Sequence, residues 1–190
     1  YWDSFFLKND GTVWGVGKNH DGRLGDGTTT PRANAVQVVS SGGSALTGVV
    51  GISAGNYHTS FLKNDGSVWA VGRNLFGELG DGTTTDRINP VQVVQAGGSP
   101  FGGVTSVIGN GASTIYCKTD GTVWAVGSNN SGRLGDGTTT ARSNPVQVVL
   151  AGGTPLTGVK KVIANDGRHL FLKTDGTVWG VGSNSKGQLG

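Results

Sequence analysis

An internal repeat constrains this chain more than any other feature. Gly11-Thr-Val-Trp-Gly-Val-Gly17 returns as Gly66-Ser-Val-Trp-Ala-Val-Gly72, then as Gly121-Thr-Val-Trp-Ala-Val-Gly127, then as Gly176-Thr-Val-Trp-Gly-Val-Gly182. The offset is 55 residues each time, without insertion. A unit of that size buries its apolar faces against copies of itself, so the chain must fold as a stack or ring of like units.

No segment carries a useful run at helical spacing. In the period that starts at Gly48, residues 49–54 read as a strand, 59–63 as a second and 67–71 as a third. Residues 91–94 read as the fourth, opened by Pro90, because proline is tolerated where a strand starts. Asn64-Asp65-Gly66 would supply the positive-φ positions of a tight hairpin. Glycine, at 36 of 190 residues, has no three-residue period, so it marks turns rather than a collagen helix. Four short strands per period predict an all-β fold of β-propeller blades, with a solenoid as the competing architecture. Three full periods and a partial one make a single repeat domain over residues 1–190.

The motif narrows this further. Ala54-Gly55-Asn56-Tyr57-His58 precedes Asp65-Gly66-Ser67-Val68-Trp69-Ala70-Val71-Gly72, then Asn74-Leu75-Phe76-Gly77-Glu78-Leu79-Gly80 and Pro90-Val91-Gln92-Val93. This order resembles the regulator-of-chromosome-condensation repeat, and the resemblance spans the whole chain. It implies a seven-bladed type of β-propeller, of which this chain supplies about half, and a bacterial-type member is expected. The chain begins at the equivalent of Asn56 and stops at the equivalent of Gly25, so both terminal blades are expected to be incomplete. A longer ring, or self-association that completes a half-ring, would account for that.

Charge argues against a nucleic-acid partner. There are 15 Lys+Arg and 12 Asp+Glu, many of them periodic and the rest scattered rather than clustered as a phosphate-binding surface requires. No apolar run reaches the ~18 residues of a membrane-spanning helix. The one cysteine, Cys117, is in phase with Leu7, Leu62 and Leu172 and reads as an inert thiol in an apolar slot. His20, His58 and His169 are not in metal-ligand spacing, and neither a phosphate-binding loop nor a nucleophile elbow is present. No cofactor, no metal and no catalytic residue is therefore expected.

The periodic residues read as architecture. Trp14, Trp69, Trp124 and Trp179 supply one large packing group per blade. A light-sensing role, as in a plant photoreceptor relative, is the weaker alternative. Asp26, Asp81 and Asp136 open Asp-Gly-Thr-Thr-Thr loops with Arg32, Arg87 and Arg142 six residues on. One carboxylate per loop is too few for calcium, and a turn held by an Asp–Arg contact is expected.

Function is sought where the copies differ. One window is Tyr1-Trp2-Asp3, Asn56-Tyr57-His58, Gly111-Ala112-Ser113 and Asp166-Gly167-Arg168. A second is residues 19–21, 74–76, 129–131 and 184–186; a third is 44–46, 99–101 and 154–156. Tyr1, Trp2, Asp3, Asn56, Tyr57, His58, Phe76 and Arg168 are the partner-binding candidates, being mostly of the residue types that dominate interfaces or beside them. The expected function is a non-catalytic scaffold that binds a protein through variable loops on one propeller face. The alternatives are a structural repeat region of a larger surface or secreted protein, and nucleotide exchange on a small GTPase, the role of the family's eukaryotic namesake. Scarce cysteine and Thr/Asn/Gly-rich loops suit an exported or cell-surface bacterial protein over a cytoplasmic one.

Overall fold

The computed structural model describes residues 3–165 and 167–190. Among them the strands form four antiparallel sheets in chain order. The first blade holds β1 (Asp3–Leu7), β2 (Val13–Gly17) and β3 (Arg32–Gln37). The second holds β4 (Val49–Ala54), β5 (His58–Lys63), β6 (Val68–Gly72) and β7 (Arg87–Gln92). The third holds β8 (Val104–Asn110), β9 (Ser113–Lys118), β10 (Val123–Gly127) and β11 (Arg142–Gln147), and the fourth β12 (Val159–Asn165), β13 (Arg168–Lys173) and β14 (Val178–Gly182). Each is a meander, and β8 lies beside both β4 and β12, the three being the inner strands of a propeller arc. Among the described residues no helix is long and apolar enough to cross a membrane.

The fourth strand departs from expectation. β7 starts at Arg87 rather than beyond Pro90, so the proline lies inside it. The register explains why this is allowed. Ala70 pairs with Val91 and Gly72 with Arg87, which leaves Pro90 in a bulge of an outer strand where no ladder donor is needed. The hairpin also differs: of Asn64, Asp65 and Gly66, only Gly66 has a positive φ, 77°. Asp65 fixes the turn by accepting from the Ser67 N–H (2.9 Å) and hydroxyl (2.6 Å).

The cores lie between blades. Val13, Val38 and Leu46 of the first blade meet Val49, Phe61 and Val71 of the second. Shifted by 55, the same positions build the next seam: Val68, Val93 and Phe101 against Val104, Tyr116 and Val126. Shifted again, Val123, Val148 and Leu156 meet Phe171, with Val159 and Val181 packed alongside. Strand alternation makes this possible. On β6, Val68 and Ala70 serve the seam ahead, while Trp69 and Val71 serve the seam behind. Trp69 and Trp124 pack against these cores half-buried, so they edge the seams rather than fill them. The third variable window is divided: its Leu46, Phe101 and Leu156 are buried in the seams, whereas Ser44, Ser99, Pro100, Thr154 and Pro155 are exposed.

Candidate protein-interaction face

The long connection between the third and fourth strands of a blade is organised by one asparagine. The Asn19 Nδ2 donates to the Asp26 carboxylate (3.1 Å) and to the carbonyls of Thr28 (3.0 Å) and Thr30 (3.1 Å), while its Oδ1 accepts from the Leu24 N–H (2.9 Å). Asn74 and Asn129 repeat every one of these bonds. All three are buried. These hubs are absent from the sequence-derived site residues, although their 55-residue recurrence signals them; the changing neighbours at 20–21, 75–76 and 130–131 hide it.

The expected Asp–Arg contact is formed. The Nε of Arg32, Arg87 and Arg142 reaches Asp26, Asp81 and Asp136 at 2.6, 2.9 and 2.8 Å. Burial opposes ionisation of these carboxyls, but the threonine hydroxyls and the guanidinium outweigh it and hold them below the usual aspartate value.

This loop leans onto the following blade. The Arg23 guanidinium pairs with Asp3 (3.1 Å) and donates to the Asn56 carbonyl of the second blade (2.6 Å). Gly77, at φ +82°, lies so close to Ser143 of β11 that a Cβ there would collide with it. The loops therefore gather with the turns after the inner strands on one face of the arc. The short hairpins and the connections between blades occupy the other.

The candidate residues divide on this face. Tyr1 and Trp2 lie outside the described residues, as does Asp166 of the same window. Asp3 is not a free contact: its side chain is buried in the pair with Arg23 and also accepts from the Asn19 N–H (2.9 Å). His58 is likewise withdrawn, because it is fully buried and its Nε2 lies 2.8 Å from the Thr114 hydroxyl of the third blade. That hydroxyl donates to the Glu78 carbonyl (3.2 Å), which leaves Thr114 as acceptor and places the histidine proton on Nε2. Asn56 is half-buried, with its N–H and carbonyl engaged by Gly111 and Arg23. Arg168 is half-buried at the first position of β13.

What stays open is a cluster around Tyr57. The Arg73 guanidinium sits 3.6 Å from the Tyr57 ring centroid, and Tyr57 is 38 % exposed. Arg73 also faces the buried Glu78 carboxylate at 3.7 Å, which accepts from the Phe76 N–H at 2.7 Å. Burial pushes the Glu78 carboxyl up, and the Phe76 N–H and the Arg73 charge only partly offset it. The neighbouring Leu75 and Phe76 are 60 % and 36 % exposed. The positions of Arg73 and Glu78 carry Lys18 and Arg23 in the first period and Ser128 and Arg133 in the third, so the cluster is particular to the second blade.

Comparison with known proteins agrees with this architecture. Two descriptions of the regulator of chromosome condensation (RCC1) repeat match the chain, one at residues 10–62 and 120–164, the other at 49–78 and 159–188. The RCC2 homolog of Danio rerio is 31 % identical over 148 residues, which is 76 % of this chain and 28 % of that protein. The probable E3 ubiquitin-protein ligase HERC4 of Mus musculus is also 31 % identical over 148 residues, but only 13 % of its length is matched. The chain thus spans less than a third of the curated relatives it resembles. In three dimensions, yeast RCC1 (Prp20) from its complex with Kap60 superposes with a TM-score of 0.76 at 17 % identity, covering 96 % of this chain and 42 % of that one. Human WBSCR16 gives 0.74 at 21 % identity, covering 95 % and 45 %. These relatives are vertebrate and yeast proteins, and none supports the expectation of a bacterial-type member. With the repeat matched over most of its length and the propeller arc in place, the chain belongs to the regulator-of-chromosome-condensation repeat family.

Proposed function

We propose that the chain is a non-catalytic protein-interaction scaffold whose loop face receives a protein partner at Tyr57, Arg73, Leu75 and Phe76. The observation that carries this reading is the Tyr57–Arg73 stack beside two exposed apolar side chains, present in one blade and absent from its copies. Aromatic and arginine side chains of this kind anchor protein interfaces, and a guanidinium already stacked on a ring loses little further freedom on binding. The titratable groups beneath are already committed, His58 to Thr114 of the next blade and Glu78 to the Phe76 N–H of its own loop. The fold relatives support a binding role: Prp20 crystallised with Kap60, and its binding to Gsp1p and histones has been characterised.

The test is capture from native extract with the chain immobilised, compared with a Tyr57→Ala/Phe76→Ala double variant. The expected outcome is a stoichiometric partner lost by the variant at unchanged thermal midpoint. Equal capture by both proteins, or a loss explained by unfolding, would sink the proposal.

A further inference from the structure

Arg73 leaves unused what the other loop arginines spend. Arg32, Arg87 and Arg142 each give their Nε to a carboxylate of their own loop, and Arg23 is paired with Asp3 and bonded to the Asn56 carbonyl. The Arg73 guanidinium makes no hydrogen bond among the described residues. Its Nε is buried without an acceptor, and the Glu78 Oε1, 3.7 Å away, is too far to serve as one. Its two terminal nitrogens are open to solvent, in a side chain that is 24 % exposed.

The carboxylates around it are occupied. Glu78 accepts from the Phe76 N–H, and Asp86, which faces Glu78, accepts from the Asn74 N–H at 2.7 Å. Across the seam, Asp3 and Asp21 face Arg23 at 3.1 and 4.0 Å. Tyr57 meanwhile holds the guanidinium in place, its ring centroid 3.6 Å away. A stacked guanidinium has its flat side covered and its edge free, and that edge is a planar pair of donors that matches a carboxylate. The equivalent positions are Lys18, Ser128 and Ser183, none of which can present such a fork.

We propose that this site recognises a protein segment presenting an aspartate or glutamate side chain beside a large apolar one. The carboxylate takes the free edge of Arg73, and its apolar neighbour packs on the exposed Leu75 and Phe76. One free guanidinium with Asp86 close by suits a singly charged group better than a phosphate dianion. This recognition rests on the loop face being the docking surface and adds the chemistry of the partner.

The probe is a phage-displayed random peptide library panned on the immobilised 190-residue chain. Enriched peptides are expected to carry an aspartate or glutamate next to an aromatic or aliphatic residue. For the strongest of them, made as a free peptide, Arg73→Gln should raise the Kd roughly tenfold, the effect of losing a charge-assisted hydrogen-bonded pair. Exchanging the peptide's acid for its amide should weaken binding to the native chain by the same factor and to the variant hardly at all. Arg73→Lys keeps the charge without the fork and should recover only part of the loss. The Arg73 side chain makes no hydrogen bond, so both variants keep the fold, as circular dichroism would verify. Peptides that depend on Tyr57 and Phe76 but not on Arg73, or that carry no acid, would overturn the carboxylate and leave the loop face standing. Absence of enrichment, or peptides insensitive to Arg73→Gln and to Tyr57→Ala/Phe76→Ala alike, would overturn both.

Discussion

A buried asparagine, Asn19, Asn74 or Asn129, holds each of the loops after β2, β6 and β10, and replacing it exposes what the loop depends on. Asn74→Ala would leave the Leu79 N–H and the carbonyls of Thr83 and Thr85 without their partners. Unsatisfied buried groups of this kind cost about 2–4 kcal/mol together. Asn184→Ala should cost less, because among the described residues the Asn184 side chain makes only the bond to the Leu189 N–H. Urea denaturation of the two variants checks the difference. The contrast also shows what single residues disclose before folding. Asp26, Asp81 and Asp136 with their arginines were readable, because a repeated acid and base six apart suggest a contact. Asn19, Asn74 and Asn129 carry more of the loop yet give no such signal, since an amide advertises no partner and its bonds reach across 11 residues of irregular chain. His58 misled for the opposite reason: a polar residue in a variable window looks exposed until a neighbouring blade closes over it.

At the scale of elements, the loops dock by close backbone approach, and two glycines at equivalent positions separate that from local strain. Gly77 has φ +82° with Ser143 in the space a Cβ would need; Gly187 has φ +70° with nothing nearby. Alanine at either site pays the left-handed penalty of about 1–2 kcal/mol. Only Gly77→Ala adds a clash with β11, for a further cost of roughly 1–3 kcal/mol. Thermal melts of both variants measure the difference, and equal losses would show that the loop does not press on the next blade. Strand order and number followed from the alternating pattern and the turn residues. The start of β7 did not, because proline signals a strand boundary whereas the bulge that shelters Pro90 depends on pairing with β6. Phe101 lies in a window that varies between the copies, and only the folded loop shows that its ring reaches the seam, 5.2 Å from that of Tyr116.

Across the whole molecule, two successive seams each bury a histidine, and this sets a pH dependence. Burial, reinforced by Arg73 near His58 and by Arg133 near His169, lowers both to about 4 from an ordinary 6.5. The folded chain keeps them neutral where the unfolded chain protonates them. Stability is therefore full above pH 6.5 and is lost as pH falls toward 4, by up to about 3 kcal/mol per histidine. Glu78 acts in the opposite sense, since its raised carboxyl favours the folded state as it protonates, so the net fall in acid is smaller than the two histidines alone would give. His58→Gln should flatten the slope of unfolding free energy between pH 6.5 and 4 by about half; an unchanged slope would remove His58 from the account.

The seams have another consequence. Each is built from the same six positions moved along by one period, so every blade presents the same positions to its neighbours. A duplication or deletion of one 55-residue period creates no new kind of junction. Such a lineage can lengthen or shorten by whole blades while every joint stays familiar, and the exposed tyrosine after β4 can change without asking anything of the joints on either side.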